Sequence, residues 1–297
     1  MANVITAFNT NVWSDRVIDR LRVENVAMAV AANTEYEGEI REAGDTVYVP
    51  MYGRVSWSGY KKDEDLEYQE IGATRESFQV NDAEKFAFRI DDIEKTRADY
   101  TLEDRYAEEA AISLSELVDT KIFSYYKDAA PANVIGSAGA PITLSDTGTT
   151  SFWAQLVEAE KRFNKMNVPQ TGRWIIIGPD VKAWMSKDTT LLKSAQPIAE
   201  TVIRTARPGM TTSTAPGYVG HLNGFDIFLS NNIPQPADGV TANVFGQGRP
   251  ISYASKFQVV ERLRLQTKFA TAVRGLILHD GKVFDEHAKR LGVLYTN

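Results

Sequence analysis

The chain has 297 residues, a formal net charge of −6, 43% hydrophobic residues and 24% charged residues. This length predicts one or two domains of about 150 residues, and the composition excludes an intrinsically disordered chain. There is no cysteine, which excludes disulfides, thiolate zinc sites, iron–sulfur clusters and cysteine nucleophiles and fits a reducing cytoplasm. No apolar run approaches the roughly 20 residues of a membrane span, and the first residues lack the pattern of a signal peptide.

Charge is unevenly distributed along the chain. Residues 35–94 contain 16 acids and 7 bases, whereas residues 131–297 contain 12 acids and 18 bases. Such asymmetry often marks interaction surfaces, although a solvated face is the simpler explanation for an isolated monomer. A nucleic-acid-binding surface is not indicated, because the C-terminal bases are interspersed with acids and never form a run.

The N-terminal part of the chain predicts a short helix over 12–30 and two extended segments after it. Alternating residues predict a strand over 45–57, interrupted near Pro50, and a second extended stretch over 77–90. Between them, residues 58–74 are too polar for a core and too numerous for a tight turn. A loop of this length is usually functional or disordered.

A long helix is predicted over 99–128, a segment without glycine or proline. Its apolar residues approximate one stripe, and acids crowd its first turns. At about 1.5 Å per residue, this helix would reach roughly 45 Å, which is long for a globular protein. We expect Leu114, Leu117 and Val118 to face a sheet of the same subunit.

The C-terminal half has a mixed α/β pattern. Helices are predicted over 151–167 and from Pro179 through Met185, with a buried strand over 173–177 between them. Strands are also predicted over 224–230 and 257–265.

Two connections are predicted in this half. Residues 205–219 are polar and rich in threonine, glycine and proline, which predicts a flexible loop. Asp280–Gly281 follows the apolar run Leu276–Leu278, which predicts a hairpin turn.

The sequence offers little for catalysis. The three histidines, His221, His279 and His287, have no partner at metal-ligand spacing, and phosphate-binding glycine motifs and the nucleophile elbow are absent from the sequence. Asp91 and Asp92 follow a predicted strand, where catalytic carboxylates often lie. Adjacent acids there are also common helix caps, and no convergent partner can be named. The sequence therefore predicts no catalytic, cofactor-binding or metal-binding residue.

Other features predict a protein that works as an assembly. An extended N-terminal arm, a long acidic hairpin and an overlong helix precede a compact α/β half of opposite charge. Protruding elements with few local core residues are explained if neighbouring copies bury them.

This order of elements resembles the major capsid proteins of tailed bacteriophages, which have the Hong Kong 97 (HK97)-like fold. No single motif carries the likeness, which rests on order and spacing along nearly the whole chain and is similar to the coat-protein branch of the P-twenty-two-type phages. The contributing local patterns are Asn9–Ser14, Tyr36–Ile40, Ala43–Val47, Phe86–Phe88, Ile90–Asp92, Val168–Pro169, Gly172–Arg173, Gly224–Phe225 and Ser230–Asn232.

The resemblance implies an α+β fold with four parts. Residues 1–44 would form the N-terminal arm and residues 45–90 an extended β-hairpin loop. Residues 91–130, with the spine helix, would form the peripheral domain together with residues 256–297. Residues 131–255 would form a mixed α/β axial domain.

The implied function is structural. Many copies would assemble as hexamers and pentamers into an icosahedral head around double-stranded DNA, without sequence-specific DNA binding, a cofactor or a membrane. The resemblance implies a separate scaffolding protein or none, and a portal and a decoration protein are the other candidate partners. The protein would be part of the virion, synthesised and assembled in the bacterial cytoplasm.

Two alternatives stay open. One is an encapsulin-type shell of a prokaryotic nanocompartment, which has the same fold and encloses enzymes instead of a genome. The other, from a different class, is a soluble α/β enzyme that uses Asp91 or Asp92.

The predicted subunit interface is the acidic loop together with one tryptophan of the arm. We expect the loop to lie across an adjacent subunit, whose surplus of bases after residue 130 would complement its acids. The residues assigned to this interface are Trp13, Lys61, Lys62, Asp63, Glu64, Asp65, Leu66, Glu67, Tyr68, Glu70 and Ile71.

Overall fold

The computed structural model describes residues 25–35, 46–52, 55–57, 59, 68–92, 102–188 and 216–297. Short 3₁₀ turns over 125–128, 131–133 and 148–150 connect some of the elements. The helices and strands are α1 (Val26–Val30), β1 (Ala32–Asn33), β2 (Thr46–Tyr52), β3 (Ala73–Gln79), β4 (Asp82–Asp91), α2 (Leu102–Ser124), β5 (Val134–Ile135), α3 (Phe152–Lys165), β6 (Arg173–Ile177), α4 (Pro179–Lys187), β7 (Tyr218–Leu222), β8 (Phe225–Leu229), β9 (Thr241–Gln247), β10 (Ile251–Arg264), β11 (Ala270–Val283), α5 (Asp285–Ala288) and β12 (Leu291–Thr296).

The strands form three sheets. The largest has six strands in the order β5-β12-β9-β6-β8-β7, and a second has four strands in the order β1-β10-β11-β4. The third is the antiparallel hairpin of β2 and β3. In the six-stranded sheet, β6 pairs parallel with β8 and antiparallel with β9, so the sheet is mixed.

The core lies on both faces of the six-stranded sheet. All five residues of β6 are buried, and alternate side chains point to opposite faces. Trp174 and Ile176 belong to one buried cluster with the long helix α2, while Ile175 and Ile177 belong to another with α3. Burial on both faces explains the apolar run Trp174–Ile177. The buried Arg173 at the start of the strand donates to the carbonyl oxygens of Pro169 and Val168.

The predicted long helix is confirmed as α2, the spine helix, which continues into a 3₁₀ turn over 125–128. Leu114 and Val118 are buried in the cluster that contains Trp174, whereas Leu117 is half-buried beside β4. The predicted start at Asp99 lies outside the described residues. Among the described residues, no helix is both long and apolar enough to cross a membrane.

The spine helix also anchors α1, the five-residue end of the helix predicted over 12–30. The Asp119 side chain is buried and accepts hydrogen bonds from the backbone amides of Val26 at 3.3 Å and Ala27 at 3.1 Å. A helix of one turn satisfies few of its own amides, so a carboxylate cap from α2 replaces bonds that α1 cannot make. Residues 12–24 lie outside the described residues.

Most of the other predicted elements are found, and three of the predicted ranges need comment. The stretch predicted over 77–90 is two strands, β3 and β4, separated at Val80–Asn81. Of the loop predicted over 205–219, only residues 216–219 are described, and Tyr218 and Val219 already belong to β7. The strand predicted over 257–265 begins earlier, at Ile251, as β10.

The hairpin turn predicted at Asp280–Gly281 is wrong. Both residues lie inside β11, where Gly281 pairs with Tyr253, and the chain turns instead between Leu265 and Phe269. Gly281 has no room for a side chain, because neighbouring groups approach its backbone closely. A Cβ at this position would lie 2.7 Å from the Ser252 carbonyl oxygen and 3.1 Å from the Tyr125 ring. A glycine in a strand marks tight packing as often as a turn.

Candidate subunit-contact surface

The β2–β3 hairpin carries the predicted extended loop. The two strands pair in register from Thr46 with Gln79 to Tyr52 with Ala73. Beyond the paired strands, the Ser56 amide donates to the Gln69 side-chain oxygen at 3.1 Å, and the Gln69 amide group donates to the Ser56 hydroxyl at 2.7 Å. These bonds hold the two sides of the loop together where regular pairing has ended.

Large apolar side chains on this loop face solvent. The side chain of Trp57 is 97% exposed and that of Tyr68 is 92% exposed. Val55, Ile71 and, on β2, Tyr48 are also more than half exposed. Single exposed apolar residues are common on soluble proteins, but five on one hairpin and its loop make this region the candidate contact surface.

The base of the hairpin is fixed to the body of the subunit by a small separate core. Phe78 and Val80 are buried against Leu278 and Phe284, and the Phe78 and Phe284 ring centroids lie 6.2 Å apart in an edge-on arrangement. The Lys282 ammonium donates to the Ser77 carbonyl oxygen at 3.2 Å. The loop therefore projects from an anchored base.

The structure places only part of the predicted interface. Tyr68, Glu70 and Ile71 are described and exposed, and they flank Gln69 in the segment that leads back to β3. The remaining predicted residues, Trp13, Lys61, Lys62, Asp63, Glu64, Asp65, Leu66 and Glu67, lie outside the described residues.

Val55, Trp57 and Phe269, the last at the turn between β10 and β11, are exposed residues that were not predicted from the sequence as contact residues. The Phe269 side chain is 82% exposed, and its carbonyl oxygen accepts a hydrogen bond from the Asp92 amide at 3.0 Å. The available signal was an aromatic residue within a polar turn or loop, where no fold-internal partner is expected for it.

Asp91 and Asp92, the carboxylates considered for the enzyme alternative, make contacts that hold the fold together. Asp92 accepts two hydrogen bonds from the Arg264 guanidinium, one of them at 2.6 Å, and this pairing raises the pKa of Arg264. Asp91 is the last residue of β4 and pairs in register with Ala270. The pair of acids therefore ties the end of β4 to the β10–β11 hairpin.

No catalytic constellation surrounds the histidines in the described part of the chain. His221 pairs with Asp226 at 2.7 Å, His279 is buried, and His287 is half-buried in α5. No group of three or more histidine, aspartate or glutamate side chains among the described residues is placed to hold a metal ion.

A cleft of about 360 Å³ lies between β4 and the spine helix. Phe86, Phe88, Tyr106 and Leu117 make it mainly apolar, and Glu84, Lys85, Glu109 and Ser113 are its polar groups. These polar groups do not form a nucleophile, base and orienting group in the sense that acyl or phosphoryl transfer requires.

The fold itself is shared with solved capsid structures. The structure of Mycobacterium phage Che8 matches with a TM-score of 0.64 and 22% sequence identity over 92% of this chain and 91% of that chain. The capsid structure of cyanophage P-SCSP1u matches with a TM-score of 0.64 and 15% identity over 90% of this chain and 86% of that chain. The virus-like particle from Pyrococcus furiosus matches with a TM-score of 0.53 and 11% identity over 96% and 98% of the two chains.

These likenesses show that the chain has the HK97-like fold, as the resemblance in the order of elements implied. Sequence comparison gives the family, because the phage capsid protein profile matches residues 76–281, more than half of the chain. The chain belongs to the phage capsid protein family, and its function is structural. No curated protein sequence matches it.

Proposed function

We propose that this protein is the major capsid protein of a tailed phage and assembles as hexamers and pentamers into an icosahedral head around double-stranded DNA. The membership of the phage capsid family over residues 76–281 carries this proposal. The exposed apolar loop supports it, because a protein with no partner would risk aggregation by presenting Trp57 and Tyr68 to water.

The proposed division of labour keeps the four parts of the chain. Residues 1–44 act as the arm, 45–90 as the extended loop, 91–130 with 256–297 as the peripheral domain, and 131–255 as the axial domain. The Tyr125 hydroxyl donates to Asp280 of β11 at 2.7 Å, which supports grouping residues 91–130 with the C-terminal segment. β4, at the end of the loop segment, pairs with β11 in the four-stranded sheet. The six-stranded sheet, built largely from 131–255, also takes in β12.

The loop is proposed to contact the adjacent subunit in two ways. Its apolar residues, including Tyr68 and Ile71, bury surface that the free subunit exposes, at about 25 cal/mol for each Å² removed from water. Its acidic residues, Asp63 to Glu70, meet the basic surplus of residues 131–297. Each exposed ion pair contributes only about 0–1 kcal/mol, so the acids act mainly on register and assembly rate.

The remaining partners follow from the same proposal. The head encloses DNA without sequence-specific binding, and a separate scaffolding protein, a portal and a decoration protein complete it. Assembly takes place in the bacterial cytoplasm, and the protein performs no catalysis. Replacing both Asp91 and Asp92 by Asn should therefore change folding or assembly and abolish no turnover.

The primary experiment is negative-stain microscopy with light scattering on the purified chain, with and without a co-expressed scaffolding protein. We expect rings or closed particles whose formation depends on protein concentration. A chain that stays monomeric at high concentration under both conditions contradicts the proposal.

A triple charge reversal tests the loop. Changing Asp63, Glu64 and Asp65 to Lys should leave a folded soluble subunit that does not assemble. The matched control reverses three exposed acids outside the loop, Asp238, Asp285 and Glu286, and should assemble at a rate closer to wild type. Assembly of the loop variant into closed shells at the normal rate would refute the role given to the loop.

Ionic strength separates the two parts of the contact. The Debye length is about 8 Å at physiological salt and roughly 3 Å at 1 M, so exposed pairs are screened at high salt. Assembly should slow at 1 M salt if the acids steer the loop. It should be unaffected if Tyr68, Ile71 and their apolar neighbours dominate.

The nanocompartment alternative has one supporting observation, the likeness to the virus-like particle from Pyrococcus furiosus. The family match favours the phage head. Analysis of nuclease-treated particles distinguishes them: protected double-stranded DNA supports a head, whereas a stoichiometric protein cargo supports a nanocompartment.

A further inference from the structure

The C-terminal end of the spine helix is held to the four-stranded sheet by a small group of polar side chains, here called the helix–sheet clamp: Lys121, Tyr125, Asp82 and Asp280. The Lys121 ammonium pairs with Asp82 on β4 and lies 3.9 Å from Asp280 on β11. The Tyr125 hydroxyl donates to Asp280 at 2.7 Å. Hydrogen bonding to Lys121 lowers the pKa of Asp82, so this carboxylate stays ionised in mildly acidic solution.

A buried histidine lies directly beside this clamp. His279 is the β11 residue that pairs in register with Asp82, and its side chain is only 2% exposed. Neither of its ring nitrogens has a hydrogen-bond partner among the described residues. Burying an imidazole without partners costs free energy even when it is neutral, and the cost is far larger when it is charged.

The charges that act on His279 come from three elements. That of Lys121 acts from the spine helix, those of Asp82 and Glu84 from β4, and that of Asp280 from its own strand. On β10, the Tyr253 ring centroid lies 6.1 Å from the imidazole. Burial first and the charge of Lys121 second lower the pKa of His279, and they outweigh the opposite effect of the three carboxylates.

We propose that His279 makes the joint between the spine helix and the four-stranded sheet labile in acid. Protonation places a positive charge on a buried imidazole whose nitrogens have no acceptor among the described residues, and this charge repels the Lys121 ammonium, whose side chain is 28% exposed. The two cations then compete for Asp82, and the end of the spine helix separates from β4 and β11. The joint is closed at neutral pH and opens progressively on acidification.

Proton linkage determines how the contribution of His279 to stability depends on pH. A histidine whose folded-state pKa lies below its usual value of about 6.5 binds fewer protons folded than unfolded. Its contribution to stability is complete above that pH and is lost as the pH falls toward the folded-state pKa. A single group of this kind changes the opening constant by at most tenfold per pH unit.

Asp119, another titrating carboxyl on the spine helix, affects stability with the opposite pH dependence, so its contribution can be told apart from that of His279. Burial raises the pKa of Asp119 to about 7, so acidification removes a buried charge from the α1 side of the spine helix and does not weaken it. Opening in acid at the clamp therefore points to His279 and not to Asp119.

Hydrogen exchange on the unassembled subunit at pH 7.5, 6.5 and 5.5, corrected for intrinsic exchange rates, tests the proposal. Protection at residues 120–126 and 276–282 should fall by up to about fivefold between pH 6.5 and 5.5 in the wild-type protein. In His279→Leu, protection should change little over this interval. The matched control His221→Gln removes the half-exposed histidine paired with Asp226 and should behave as wild type.

Two results would overturn the proposal: wild-type protection that is constant from pH 7.5 to 5.5, or a His279→Leu variant that keeps the acid-induced loss. If His279→Leu does not fold, the imidazole pKa measured by NMR in the wild-type protein decides, and a value of 6.5 or higher refutes it. Because the measurement uses the free subunit, it is independent of whether the protein forms the proposed shell.

Discussion

The six-stranded sheet and the extended loop use the same kinds of residue in opposite ways. In the sheet, β6 buries all five of its residues between the spine helix and α3. On the loop, Trp57 and Tyr68 are almost fully exposed, although either would be a core residue in an ordinary domain. The difference shows that the sheet is completed within one chain, and it supports the proposal that the loop is completed by another copy.

The sheet and the loop should respond differently to mutation. Substitutions in the sheet should change the stability of the free subunit, and assembly only through it. Substitutions at the loop tip should change assembly and leave the subunit stable. The base of the loop, with Phe78 packed against Phe284, is the boundary between the two regimes.

The largest loss of stability is expected for Phe245→Ala in β9. The Phe245 side chain is fully buried, its ring centroid lies 5.0 Å from that of Phe163, and its ring closes against Gly292. Removing a buried phenylalanine typically costs about 3–5 kcal/mol. Denaturant unfolding of the free subunit measures it, with the exposed Tyr48→Ala as control. A loss below about 1 kcal/mol would show that this core is not closed within the subunit.

A smaller loss is expected for Gly281→Ala in β11. The new methyl group would meet the Ser252 carbonyl oxygen and the Tyr125 ring, and overpacking of this kind costs about 1–3 kcal/mol. Gly139→Ala is the control, because nothing lies within 4 Å of a Cβ there. Equal stability of the two variants would contradict the position of Gly281 inside a tightly packed strand.

The spine helix, β6 and Gly281 show which parts of the fold could be predicted from the sequence and which could not. Periodicity predicted the spine helix and the RWIII strand, because burial on one stripe or on both faces leaves a direct pattern. It did not distinguish a glycine at a turn from Gly281, because the reason for that glycine is a tyrosine more than 150 residues earlier in the chain. Tertiary contacts of this kind leave no local signal.

The candidate contact surface was predictable only in part for a similar reason. The acidic, weakly apolar composition of residues 58–74 indicated the loop, and Tyr68 and Ile71 are exposed as expected. Trp57 and Val55 were assigned to a strand, where alternating apolar residues usually indicate burial. Whether such residues face a core or a neighbouring copy depends on where the fold ends, which the pattern does not contain.

An intermediate loss, of about 0.5–2 kcal/mol, is expected for Asp119→Ala. The substitution removes the acceptor for the backbone amides of Val26 and Ala27 and leaves them unsatisfied in a buried site. The matched control is Glu116→Ala, which removes an exposed carboxylate one turn away on the same helix. Unfolding by denaturant gives the stability, and hydrogen exchange at residues 26–31 should report the loss locally. Unchanged protection of α1 in Asp119→Ala would show that the cap does not hold this segment.

The smallest effect on the free subunit is expected for Trp57→Ser. The side chain is 97% exposed, so its removal should change the free energy of unfolding by no more than about 0.5 kcal/mol. Assembly should respond much more strongly, because a tryptophan that becomes buried in an interface often contributes about 2 kcal/mol or more for each contact. The two measurements on one variant therefore separate folding from assembly, with Tyr48→Ser as a control that removes an exposed aromatic residue nearer the base. A Trp57→Ser subunit that is markedly less stable would mean that the loop packs against its own chain. The proposed difference between the sheet and the loop would then be wrong.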